Sequence, residues 1–209
     1  MELQYFGANC IRISTKKANI IIDGVIGENS KSMVKSGDIV LFTSRGERKI
    51  EPGVKLVINQ PGEYEVADTS ILGIPARAFG AETKTFSNTI FKVENEEVKL
   101  AIIGNVHPEL TDSQLELLGE VDVIVIPVGN NETTLSGANA LSIIKHIEPY
   151  LVIPTHFADQ KTKYGNPQST LEEALKDLGM EVSESVSKIK LKSANFNEGD
   201  ATKLIVLEN

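Results

Sequence analysis

At 209 residues, 41% apolar and 24% charged, the chain can build one substantial core, and two independent domains are not expected. Its 21 Lys and Arg stand against 29 Asp and Glu, a formal charge of −8 with no basic block, so the phosphate-backbone attraction behind nucleic-acid binding is missing. The start MELQYFGANC has neither a basic n-region nor an apolar h-region, and no apolar run approaches the ~20 residues of a membrane span. A soluble, cytoplasmic protein with no membrane and no nucleic-acid partner is therefore expected.

In chain order, short Ile- and Val-rich runs come first. CIRI, NIIID, DIVLF, KLVI, TIFKV, VKLAIIG, VDVIVIPV and YLVIP are brief and β-branched, which predicts strands. The first half reads as a meander, with turns at Gly7, Lys16-Lys17 and Gly24. Cys10 is the single cysteine, so no internal disulfide is possible, and its apolar neighbours predict a packed, unreactive thiol.

Three helices are predicted in the second half. TDSQLELLG carries a capping box of Thr111 and Gln114 and ends at Gly119. SGANALSIIKHIEP starts at Ser136, sets Leu141, Ile144 and Ile147 on one face and stops before Pro149. STLEEALKDLG predicts a capping box of Ser169 and Glu172, a stripe of Leu171, Leu175 and Leu178, and Gly179 as terminator. Beyond these, SKIKLKSANFNEGDATKLIVLEN predicts further strands at a sheet edge. Continuous apolar strands followed by strand–helix alternation predict two facing sheets with helices outside, an α/β (α+β in some schemes) architecture.

LQYFGANCIRI, NIIID, DIVLFTSRGERK, NQPGEYEV, LGIPA, IIGNVHPELTDSQLELLGEVDVIVIPVG and YLVIPTHF together resemble the metallo-β-lactamase superfamily. They are most similar to its branch of predicted zinc-dependent hydrolases, near the L-ascorbate-6-phosphate lactonase group. The resemblance runs from about residue 2 to residue 160. It implies a four-layer αββα sandwich, one metallo-β-lactamase-like domain over residues 1–209, and zinc as the family's cofactor.

The resemblance also implies a loss. Laid on the family's H-x-H-x-D-H motif, the four ligand positions are Ser44, Gly46, Arg48 and Lys49. The bridging Asp position is Asn105, the His after the GIP turn has no counterpart between Ala76 and Asn88, and an amino-terminal family His is Ala8. His156, in IPTHF, remains, and Asp23, closing NIIID, matches a family Asp that supports loop geometry. Zinc takes imidazole, thiolate or carboxylate and needs about three protein ligands even at a catalytic site, so no resident metal is expected.

Other chemistry is open at this stage. Ser44, His156 and Asp23 could converge as a triad, although no nucleophile elbow surrounds Ser44. His107 and His156 could meet Asp23 or Glu47 in a new mononuclear site, whereas His146 belongs on a helix surface. Arg45, Arg48 and Lys49 could hold a small anionic ligand such as phosphate, or else lie on a solvated loop paired with Glu47 and Glu51. Two function classes follow. One is a non-catalytic binding or assembly module, expected to form a homo-oligomer as relatives of this branch do. The other is a hydrolase with a rebuilt mononuclear or metal-free site.

Overall fold

The computed structural model describes residues 1–24, 33–46, 52–81 and 85–209. Every apolar run singled out above lies in a strand. β1 (Glu2–Tyr5), β2 (Ile11–Ser14), β3 (Asn19–Ile22), β4 (Ile39–Leu41), β5 (Leu56–Ile58) and β13 (Ile189–Lys190) form a sheet in the order β13-β1-β2-β3-β4-β5. The meander holds only from β1 to β3. β4 and β5 continue in parallel, which needs a crossover rather than a tight turn between strands.

The second sheet contains β6 (Gly62–Val66), β7 (Thr69–Arg77), β8 (Phe86–Asn95), β9 (Val98–Ile102), β10 (Val123–Pro127), β11 (Leu151–Thr155), β12 (Val182–Val186) and β14 (Lys203–Leu207). Their order is β12-β14-β11-β10-β9-β8-β7-β6. β6 to β9 run antiparallel, and β9, β10, β11, β14 and β12 are parallel.

The carboxyl-terminal strands depart from the expected edge. β13 does end the first sheet, but β14 lies inside the second and β12 takes its edge. Burial accounts for this: Leu204, Ile205, Val206 and Leu207 are buried, while VSESV offers mostly exposed polar groups that tolerate a solvated edge.

The alternation of side chains divides the core. Ile20, Ile22, Ile39 and Leu41 join the main cluster shared with the second sheet, whereas Ile21 and Val40 point to the opposite face and pack with Cys10, Val34 and Phe42. Strands buried on both faces are the reason NIII and IVL are continuously apolar, each such side chain contributing about 1.5–3 kcal/mol. Cys10 is fully buried, and burial pushes its thiol up to about 12, so it is inert at neutral pH.

Among the described residues, the α-helices follow β9. α1 (Asp112–Leu118) lies on β7, where Gln114 Nε2 donates to Pro75 O at 2.7 Å; α2 (Gly137–Ile147) lies on β10, and α3 (Leu171–Leu178) packs on α2. The predicted capping box of Thr111 and Gln114 forms, and Ser136 caps α2 with Asn139. The buried stripe of α2 centres on Ala140, Ile143 and Ile144, with Leu141 and Ile147 only half-buried at its margin.

The α3 cap is Thr170 with Glu173, one residue beyond the predicted pair. Ser169 donates its N–H to Gly129 O and accepts at its own carbonyl from Ala158 N, so its backbone is held extended and Thr170 becomes the first residue able to cap. No helix of the described residues is long and apolar enough to cross a membrane.

Candidate functional site

The parallel strands β3 and β4 end at a rim that Thr43 ties together. Its N–H and hydroxyl donate to the two Asp23 carboxylate oxygens at 2.9 and 2.5 Å, and its carbonyl accepts from Thr89 N at 2.8 Å. Asp23 has φ +45°, a left-handed conformation that Asp tolerates better than most residues. Ser44 then bridges to Asn88 on β8, and Asn88 Nδ2 donates to Asn105 O at 2.8 Å. Gly104, at φ +65°, lies so close to Thr43 that an added Cβ would sit 2.7 Å from the Thr43 Cβ. Asp23, Ser44 and Asn105 are therefore gathered in one hydrogen-bonded rim that stitches the two sheets.

His156 belongs to a second cluster. At the end of β11 it takes φ +60°, and its N–H donates to Ala8 O at 2.9 Å. Ala8 N in turn donates to the Tyr164 hydroxyl at 3.1 Å, and that hydroxyl donates to Phe157 O at 2.8 Å with Asp159 Oδ2 3.2 Å away. The Tyr164 ring stacks on the imidazole, centroids 5.4 Å apart. Among the described residues His156 Nδ1 is buried without a hydrogen-bond partner, and burial lowers the imidazole to about 4, so the ring is neutral at pH 7. Asn105 Oδ1 is likewise buried and unpartnered among the described residues.

The other candidates part company. His107 Nδ1 faces the Arg77 guanidinium at 2.9 Å and accepts from Glu109 N at 3.2 Å. His146 is exposed on α2, its Nδ1 2.7 Å from Ser142 O. Arg45 is exposed and donates its N–H to Ser87 O at 3.2 Å. Glu47, Arg48, Lys49 and Glu51 lie outside the described residues. No triad contact is seen among the described residues: the Asp23 carboxylate accepts from Thr43, and His156 Nδ1 has no hydrogen-bond partner there. The rebuilt metal site is not assembled around His107 either, because its Nδ1 is occupied by Arg77 and Glu109 N.

Thr43, Asn88, Tyr164 and Arg77 were not singled out from the sequence. Tyr164 is the lone aromatic of the polar stretch ADQKTKYGNPQ, a signal that it packs onto something. Asn88 and Thr43 gave no such signal.

The sequence profile of the "Beta-lactamase superfamily domain" matches residues 2–156. The chain belongs to the metallo-β-lactamase superfamily. Its α/β fold is that of a Thermotoga maritima protein assigned as a Zn-dependent hydrolase of this superfamily, which superposes with a TM-score of 0.71 at 21% identity over 99% of this chain and 97% of its own. YhfI, a metallo-β-lactamase fold protein of Bacillus subtilis, gives 0.59 at 7% identity over 99% and 95%. Igni18, a metallo hydrolase of the archaeon Ignicoccus hospitalis, gives 0.56 at 18% over 75% and 82%. No protein of curated function matches the sequence.

Zinc of the metallo-β-lactamase kind does not fit the residues at this rim. The described family positions supply a hydroxyl from Ser44, no side chain from Gly46, an amide from Asn105 and one imidazole from His156, short of the three strong donors a catalytic site needs. Among the described residues, no group of three or more His, Cys, Asp or Glu is placed to hold a metal ion.

Proposed function

We propose that this member of the metallo-β-lactamase superfamily is a non-catalytic binding or assembly module derived from a metal-dependent hydrolase. The single observation that carries the proposal is the donor set: Ser44, Gly46, Arg48, Lys49 and Asn105 occupy five family ligand positions, and His156 alone retains a ligand side chain. One imidazole cannot hold a catalytic dication against water. The module acts in the cytoplasm as a homo-oligomer, which light scattering reads directly, and the loop of Arg45, Arg48 and Lys49 attracts a small anion.

A rebuilt hydrolase is the competing reading, and one observation favours it. Asn105 Oδ1 and His156 Nδ1, at two family positions, are buried, polar and unpartnered among the described residues. Elemental analysis after expression in zinc-supplemented medium separates the two. The module carries no stoichiometric zinc, iron or manganese. About one metal per chain, lost on His156→Ala, would restore the hydrolase.

A further inference from the structure

Below α1, the end of β7 and the loop leading from β9 enclose a cleft of about 310 Å³, the lower end of the range that holds small molecules. Its polar lining comes from Arg77, His107, Glu109, Thr111 and Gln114. Gln114 is engaged, its Nε2 donating to Pro75 O and its Oε1 accepting from the Thr111 N–H and hydroxyl. His107 Nδ1 receives both Arg77 and Glu109 N, so this nitrogen carries no proton and the neutral ring bears its N–H at Nε2.

Arg77 is the unusual member. Its side chain is only 16% exposed, and among the described residues one acceptor lies within hydrogen-bond distance of its guanidinium, the His107 ring. The Glu109 carboxylate stands 3.9 Å off and is 84% exposed, a pairing that solvent screens. A mostly buried guanidinium lining a cleft favours an incoming anion, and its geometry matches carboxylate or phosphate oxygens in pairs. The remaining wall is apolar, from Ala76, Leu110 and Phe86, the last 49% exposed at the mouth.

We propose that this cleft is a binding site for a small organic anion, its carboxylate or phosphate head on Arg77 and its apolar body against Phe86 and Leu110. His107 is a positioning residue that holds the guanidinium. None of Ser44, Gly46, Asn105 and His156 lines the cleft, which adjoins the family's metal positions through Arg77, in the Ala76–Asn88 stretch, and His107, two residues from Asn105.

The test is a low-salt titration of the full chain with benzoate, phenyl phosphate, inorganic phosphate and neutral benzamide, followed by NMR shifts of residues 77, 86 and 107. Saturable binding of benzoate or phenyl phosphate, weakened at least about tenfold by Arg77→Gln, is the expected result. Benzoate alone would assign carboxylates, and phenyl phosphate alone would assign phosphate monoesters. Phe86→Ala alters an exposed side chain, so it tests the site even if Arg77→Gln perturbs folding; it should weaken the aryl anions about threefold and leave inorganic phosphate unchanged. No saturable shift with either aryl anion, equal binding of benzamide, or unchanged affinity in a folded Arg77→Gln protein would overturn the proposal.

Discussion

Tyr164 stacks on His156 at 5.4 Å between ring centroids and 26° between ring planes, while its hydroxyl receives the N–H of Ala8. One face of the His156 ring is thus covered by a tyrosine, and Ala8 joins the cluster through its backbone N–H and carbonyl.

Removing the cover should restore an ordinary imidazole. Tyr164→Ala exposes the ring and should move its NMR titration midpoint from about 4 upward toward 6.5. The same change leaves Ala8 N and Phe157 O without their partner, at a cost of about 1–3 kcal/mol in urea unfolding. A midpoint that stays near 4 would show that Tyr164 is not the source of the burial.

Acid should weaken the fold through the same residue. His156 binds its proton near 6.5 when unfolded and only near 4 when folded, so the unfolded state takes up more protons between those values. Stability is full above about pH 6.5 and falls as the pH drops toward 4, by at most about 3 kcal/mol. Urea unfolding at pH 7 and pH 4.5, compared between the native protein and His156→Phe, isolates this contribution; identical losses in both would exclude it.

Asp23→Ala should loosen the rim. It strips the acceptors from Thr43 N and Thr43 Oγ1, costing about 1–3 kcal/mol, and Thr43→Val, which loses only the hydroxyl, should cost about 1 kcal/mol. The order of the two variants in chemical denaturation is the check.

Gly104→Ala meets two obstacles together. The residue sits at φ +65°, and its new methyl would press on Thr43, itself pinned by Asp23 and Thr89. A loss of about 2–4 kcal/mol is expected from backbone strain and overpacking, read as a lowered Tm. A change below about 0.5 kcal/mol would mean that Thr43 can yield.

Chelation should leave the fold untouched. With one imidazole among the described ligand positions, overnight EDTA should not shift Tm, whereas a protein stabilised by bound metal would lose stability on its removal. A drop in Tm reversed by zinc would contradict the donor count.

Much of the architecture was legible because it is local. Short, continuously apolar, β-branched runs mark NIII, IVL and VIVIP as strands, and Thr111 with Gln114 or Ser136 before α2 closes a cap within three residues. The side-chain chemistry at Gly46 and Asn105 was legible for the same reason, since a glycine offers no donor and an amide only a weak one in any fold. Contacts between distant segments were not legible. Ala8 meets Tyr164 across 156 positions and Arg77 meets His107 across 30, and even the α3 cap moved to Thr170 because Gly129 and Ala158 hold Ser169. Strand order sets which loops share a rim, and a buried polar group takes whatever partner that order brings within about 3 Å, a choice to which periodicity and capping chemistry over three or four residues are blind.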